Sequence, residues 1–305
     1  MEEHFTPYAV YGDKGRDGLF TGYYEPLLKG AHEKRPPYIY PLYGRPSNMY
    51  TADLGAFHPD LKGRTITGRV EGEKFVPFYK RADIEDGKLE DTPILWVDNA
   101  VDAFFLHIQG SGRVELENGE VVHAGYAAQN GHAYTAIGKP LIERGEIPRE
   151  KMSMQAIRAW LEAHPDDAED IMNINQSYVF FRVIDGEGPL GAEGVPLTPL
   201  RSMAVDRKKI PYGAPIYIDA ETPDKTGRMT RLMVAQDTGG AIKGAVRGDV
   251  FWGAGAEAAN NAGIMKSTGQ AYILLPKTLD IPKDKTWRWW HRLQTGTPQT
   301  TVYNK

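Results

Sequence analysis

Short apolar runs bounded by glycine and proline recur along most of the chain, and they predict strands more often than helices. Residues 18–24 read Gly-Leu-Phe-Thr-Gly-Tyr-Tyr, an aromatic and β-branched run expected to be a strand. Residues 26–93 hold many prolines among short alternating pieces at 36–43, 64–70 and 75–78, which fit short strands joined by long loops. From Pro93 the apolar signal strengthens, and 94–97 and 104–109 predict buried strands. Residues 113–116 and 121–123 flank Asn118-Gly119, a strong hairpin signal. Three helices are predicted next. One runs from about 133 to 144 with Gly145 as its C-cap, one opens at Ser153 with Met154, Ile157 and Leu161 on one face, and one covers 166–172. A strand at 177–183 precedes a loop at 185–194, whose four glycines make it the best linker candidate. The last third returns to strands at 215–218, 231–235 and 271–275, with a short helix of small residues at 254–262.

Composition narrows this picture. At 305 residues the chain can bury a full core in one large domain or two ordinary ones. Its 33 Gly, 21 Pro and 16 Tyr favour a β-rich, loop-rich fold. The net charge of -4, with Lys and Arg spread along the chain, gives no basic face for nucleic acid. Cysteine is absent, which excludes disulfides, thiol nucleophiles and thiolate metal sites. No apolar run approaches the ~18 residues of a spanning helix. The opening residues lack the basic and apolar regions of a signal peptide and the acceptor Cys of a lipoprotein, so the chain is expected to be either cytosolic or trimmed of its export segment. The His residues show no HxH or HxxxH pair, so no metal is expected, and neither a phosphate loop nor a dinucleotide fingerprint occurs.

The densest chemistry lies at residues 236–253. This segment leaves a strand, turns through Gly239-Gly240, and carries Asp237, Lys243, Arg247 and Asp249. Asp249 precedes Val250-Phe251-Trp252, an apolar wall expected to desolvate it and raise its pKa, as a general acid at neutral pH requires. Taken singly, each Asp has a plainer reading: Asp237 as a turn residue, Asp249 as the ion-pair partner of Arg247 or Lys243. Asp237-Thr238-Gly239 also resembles the aspartic protease signature, but a single copy cannot supply the two lobes such an enzyme needs. Two further segments, Gln109-Gly110-Ser111-Gly112 and Gln129-Asn130-Gly131-His132-Ala133-Tyr134, place amides, hydroxyls and aromatic rings as neutral sugars would require. They can equally be turns and a helix cap. Ser111 lacks the Gly-x-Ser-x-Gly spacing of a hydrolase elbow.

Together these segments resemble the membrane-bound lytic murein transglycosylase A family. The resemblance is carried by residues 20–26 (Phe-Thr-Gly-Tyr-Tyr-Glu-Pro), 109–112, 130–134, 153–158, 179–181 and 195–197. It continues through Asp206-Arg207, residues 210–213 and residues 237–244, in order along the chain. It implies a mainly β protein with some α structure. Residues 1–24 plus 188–305 would form a double-psi β-barrel catalytic domain, and residues 25–187 an inserted, smaller β-rich domain forming the other wall of a glycan groove. The family's catalytic Asp falls on Asp249 and its second carboxylate on Asp237. Thr21 matches a groove position. With it, Tyr23, Gln109, Ser111, Asn130, Tyr134, Lys243 and Trp252 are the expected substrate contacts.

The implied partner is the peptidoglycan glycan strand. No cofactor, metal or nucleic acid is implied. The implied location is the periplasm at the outer membrane, with membrane contact only through a lipid anchor this chain lacks. The implied reaction cleaves the β-1,4 bond between N-acetylmuramic acid and N-acetylglucosamine, with Asp249 as acid and then base. An inverting glycoside hydrolase using Asp249 as acid and Asp237 as base stays open beside it, as does a non-catalytic glycan-binding module.

Overall fold

Two compact units make up the chain in the computed structural model, which describes residues 2–13, 15–185, 188–279, 290–294 and 297–298. One unit holds Met1–Glu25 and Leu190–Lys305, the other Pro26–Pro189. The second spans more residues than the first.

Strands β1 (Phe5–Val10) and β2 (Gly18–Glu25) open the chain. The insert then contributes β3 (Leu27–Ala31), β4 (Tyr40–Tyr43), β5 (Tyr50–Asp53), β6 (Thr65–Glu71), β7 (Lys74–Pro77), α1 (Arg81–Glu85) and β8 (Pro93–Val97). It continues with α2 (Ala100–Gln109), β9 (Gly112–Leu116), β10 (Val121–Gln129), α3 (Gly138–Glu143), α4 (Met154–Ala163), α5 (Pro165–Asn173) and β11 (Val179–Ile184). The first unit resumes with β12 (Ser202–Val205), β13 (Pro215–Glu221), β14 (Arg228–Asp237), β15 (Arg247–Ala254), α6 (Ala256–Ile264) and β16 (Lys266–Pro276). It ends in β17 (Trp290–Gln294) and β18 (Thr297–Pro298). The sequence also holds an aromatic run, Trp287-Arg288-Trp289-Trp290, whose first three residues lie outside the described residues.

In the first unit, the strand order β13-β14-β12-β15-β2-β16 closes on itself through a β13–β16 pairing. The result is a six-stranded barrel of the double-psi type. The pairs β12–β14 and β2–β15 are parallel, and the other four are antiparallel. Alternation along each strand fills the interior. Phe20, Met203, Ile216, Ile218, Met233, Val250 and Ile273 are all buried there. Gly248 faces inward at a tight point, where a Cβ would stand 2.5 Å from Met203 Sδ and 3.0 Å from the Phe20 ring. Only glycine lets β15 and β2 approach in this register.

The insert packs a six-stranded sheet, β11-β10-β9-β3-β8-β4, and a three-stranded sheet, β5-β6-β7, with helices α1–α5. The hairpin at Asn118-Gly119 forms between β9 and β10. The cap at Ser153 also forms, its Oγ accepting from Ala156 N at 3.1 Å.

Two expected elements differ. Residues 104–109, expected as a strand, are the second half of helix α2. Asn99 caps this helix, its Oδ1 accepting from Val101 N at 2.8 Å and Asp102 N at 3.1 Å. Gly110 ends it in the left-handed region (φ 81°), with its N–H on Leu106 O. Val101, Ala103, Phe104, Phe105, Leu106 and His107 are all buried, so the helix is apolar around most of its circumference and shows no periodicity to separate it from a strand. The helix expected from about 133 begins only at Gly138. Pro140 has no N–H to donate, so it must sit in a first turn. The Asn175 side chain holds the preceding segment, accepting from Thr135 N at 3.1 Å.

Candidate active site

Asp249 lies on β15 between two inward residues, Gly248 and Val250, so its side chain points out of the barrel wall. The parallel neighbour β2 sets Thr21 opposite Asp249. On the other side, β12 sets Ala204 opposite Asp249, and Ala204 is also the register partner of Asp237 at the end of β14. Register partners share a face. Asp237, Ala204, Asp249 and Thr21 therefore form one outward row across four strands, with the two aspartates about 10 Å apart between Cα atoms, two strand spacings. Ala204 between them is small and buried. An apolar cluster of Tyr23, Leu197, Ala204, Ile242 and Phe251 underlies the row.

Each carboxylate is held differently. Asp249 Oδ1 accepts a short hydrogen bond from the Thr21 hydroxyl, and Arg247 Nη2 donates to Thr21 Oγ1 at 2.8 Å. Arg247 also reaches the backbone carbonyls of Gly248 and Leu19. Arg247 thus bonds Thr21 and not Asp249 itself, while its charge still acts on the carboxylate. Asp237 accepts three bonds: Tyr23 Oη on Oδ2 at 2.9 Å, and Ala192 N at 3.0 Å and Thr238 N at 2.8 Å on Oδ1. The loop between the aspartates is anchored by buried Asp206, whose carboxylate accepts from Lys208 N at 3.0 Å and Gly244 N at 2.8 Å.

Desolvation pushes the Asp249 pKa up. The Thr21 hydrogen bond and the Arg247 charge pull it down, and the Asp237 charge pushes it up again. Asp237 is also raised by desolvation, against its backbone and tyrosine donors. The Tyr23 hydroxyl is pushed well above its ordinary value by burial and then by Asp237, so it stays protonated and donates. Burial lowers the Arg247 pKa, opposed by Asp249.

These directions carry a stability consequence. A carboxyl whose folded pKa exceeds its unfolded pKa destabilises the fold once pH passes the unfolded value, and the cost disappears in acid, where both states are protonated. Asp249→Asn should therefore raise the melting temperature at neutral pH, by about 2–4 °C for each kcal/mol relieved, and the gain should vanish near pH 3. Calorimetry across pH checks this, and a lower Tm at neutral pH would contradict it.

The structure brings Thr21, Tyr23, Asp237 and Asp249 together on the barrel. Tyr23 is buried, with its hydroxyl committed to Asp237 and its ring 5.2 Å from Phe251, so it positions a carboxylate and does not meet a ligand directly. Lys243 is exposed on the intervening loop.

Trp252 is not in this row. Three positions beyond Asp249, it faces the other way, packs against the barrel core and donates its indole N–H to Met265 Sδ at 3.4 Å. Of the expected apolar wall, only Phe251 shares the Asp249 face. In the insert, Asn130 is fully buried and its amide is spent on backbone. It donates to Tyr79 O and Gln176 O and accepts from Tyr178 N and His132 N, which leaves nothing for a sugar. Gln109 closes α2, with its Nε2 3.8 Å from Met154 Sδ. Ser111 is half-buried after the cap glycine, and Tyr134 is exposed. Sequence reasoning missed Ala204, the spacer between the carboxylates, and the Ala192 N–H. Neither residue type has a chemical signature, and only strand register reveals them.

A closed barrel with a desolvated, singly bonded aspartate on its wall and a triply bonded aspartate two strands away defines a carboxylate-centred barrel site. Residues 19–182 match the MltA specific insert domain and residues 201–275 the 3D domain. The chain belongs to the membrane-bound lytic murein transglycosylase A family. It is 36% identical over 263 residues to the protein of that name from Escherichia coli strain K12, covering 84% of this chain and 65% of that protein. It is 32% identical over 272 residues to the Vibrio cholerae serotype O1 protein of the same name, covering 86% and 67%. The crystal structure of MltA from Neisseria gonorrhoeae in its monoclinic form superposes with a TM-score of 0.78 at 37% identity, covering 92% of this chain and 78% of that one. The structure of E. coli MltA with bound chitohexaose superposes with a TM-score of 0.73 at 33% identity, covering 87% and 73%. The chain thus spans about 65% of the length of the curated E. coli relative.

Proposed function

We propose that this chain is a lytic transglycosylase of the cell envelope, acting in the periplasm on peptidoglycan glycan strands and needing no cofactor. It cleaves the β-1,4 bond between N-acetylmuramic acid and N-acetylglucosamine and leaves a 1,6-anhydro-N-acetylmuramic acid end. The observation that carries this reading is the contrast between the two aspartates. Asp249 has Thr21 on Oδ1, which leaves Oδ2 for the substrate. Asp237 accepts from three donors, at least one on each oxygen.

The sequence of steps follows. Protonated Asp249 gives its proton to the bridging oxygen as the bond from muramyl C1 to that oxygen breaks. The resulting carboxylate takes the proton of the muramyl C6 hydroxyl, whose oxygen bonds to C1. Asp249 ends protonated as it began, and no water is consumed. Holding the nucleophile within the substrate replaces recruitment of a water and gives an entropic advantage. Desolvation suits Asp249 to the first step by favouring its protonated form. Asp237 already accepts from two N–H groups and a phenol, which weakens it as a general base for a water. That argues against the inverting hydrolase, which requires such a base.

The pH profile tests this division of labour. Activity on peptidoglycan should fall as pH rises through the Asp249 pKa. Thr21→Val removes a bond that lowers that pKa, so the alkaline limb of kcat/KM should move to higher pH. Asp237→Asn removes a charge that raises it, so the limb should move to lower pH. Shifts in the same direction, or none, would sink the assignment of Asp249 as the acid.

A further inference from the structure

The outward row on the barrel wall does not end at Thr21. Strand β16 pairs with β2 on the side away from β15, and its first residue, Lys266, is the register partner of Thr21. Burial alternates along β16 from that point: Lys266 and Thr268 are exposed, while Ser267 and Gly269 are buried. Lys266 therefore shares the face of Thr21 and Asp249. Its Cα lies about 10 Å from that of Asp249, two strand spacings on the side opposite Asp237, and a lysine stem spans most of that gap.

The charges on this face are unevenly committed. The guanidinium of Arg247 is engaged by Thr21, Gly248 and Leu19. Asp237 accepts from three donors, and Glu221, on the neighbouring β13, accepts from Thr268 N at 3.1 Å. Among the described residues Lys266 enters no ion pair.

We propose that Lys266 is a specificity-determining residue, which receives a carboxylate on the substituent that the muramyl residue bears beside the scissile bond. This inference rests on the proposed function. The muramyl sugar differs from its neighbour by a lactyl ether that ends in a carboxyl group or continues into a peptide stem with carboxylates of its own. A neutral glucosamine polymer has no such group. One exposed ammonium, displaced along the strand row from the acid, can distinguish the two without touching the bond that breaks. An exposed charge pair of this kind is worth a few-fold in affinity and is screened by salt.

The test compares kcat/KM on peptidoglycan strands bearing peptide stems with kcat/KM on the same strands after the stems are removed by an amidase and the lactyl carboxyls are converted to neutral amides. The parent is expected to favour the charged strands, with KM rising as salt is added. In Lys266→Met the preference should shrink by about three- to fivefold, carried by KM and not kcat, and the salt dependence should flatten. Lys266→Arg should restore both. An unchanged preference in Lys266→Met, or a loss carried by kcat on both substrates alike, would overturn the inference. Absence of turnover by the parent on either substrate would instead overturn the proposed function itself.

Discussion

Asp249→Asn should end turnover of peptidoglycan while leaving the barrel folded. General acid–base participation is ordinarily worth about 10²–10⁴ in rate, and here one carboxyl serves both proton transfers, so the loss is expected at the upper end of that range. Asn keeps the shape and can still accept from Thr21 through its amide oxygen, so the local geometry has no reason to collapse. Binding of glycan strands, followed by calorimetry, should persist. If the variant retained more than about a tenth of parental activity, smaller than any ordinary acid–base effect, the acid would have to lie elsewhere. A protein that only binds glycans would show no turnover in either form.

Arg81→Met should be the most damaging substitution in the insert. Arg81 is 1% exposed. Its Nε donates to Asn175 O at 3.1 Å and its Nη2 to Ser177 O at 2.9 Å. Its Nη1 meets Glu85 Oε1 at 2.9 Å and His107 Nδ1 at 3.0 Å. The guanidinium also lies over the rings of Phe104 and Tyr178, 4.7 and 5.2 Å from their centroids. Met can fill much of the volume, but it leaves two buried carbonyls and the Glu85 carboxylate without their donor. Water can replace the donor at the exposed Glu85, so the cost falls on the two orphaned carbonyls, about 1–3 kcal/mol each.

His107 makes the site still less forgiving. Burial and then the Arg81 charge hold its pKa well below the ordinary value, so it is neutral and cannot replace the missing cation. Arg81→Lys should recover only part of the loss, because an ammonium cannot reproduce the planar fork. Thermal or urea unfolding measures both variants. A cost below about 1 kcal/mol for Arg81→Met would mean that solvent reaches the site and replaces the donor.

Much of the strand content was legible because half-buried strands alternate, as β13 and β16 do. Helix α2 was not, because a helix buried on nearly all sides loses its period. Its ends were marked all the same, by Asn99 at the cap and Gly110 beyond the last turn. Strand β15 begins Arg-Gly-Asp, too polar and too glycine-rich to read as a strand, although it carries Asp249. Barrel closure depends on β2 pairing with β15, more than 200 residues away in the chain. No local pattern encodes such a pairing; the resemblance implied only that the N-terminal piece belongs to the barrel, and the register shows the pairing.

At the site, side-chain chemistry pointed to Asp249 and Asp237, and the resemblance to Thr21. Strand parity, unavailable without the register, then removed Trp252 from the face of Asp249 and brought in Ala204 and Lys266. Asn130 looked like a sugar ligand because buried struts and binding amides use the same residue type. Only its burial tells them apart.

The central claim is that the substrate's own hydroxyl, and not water, completes the cleavage governed by Asp249. Digestion of peptidoglycan in water enriched in heavy oxygen, with the fragments resolved by mass spectrometry, tests it most directly. The account predicts muramyl ends lighter by one water than hydrolysed ends and free of the heavy isotope. Reducing ends that carry one heavy oxygen per cleavage would contradict it.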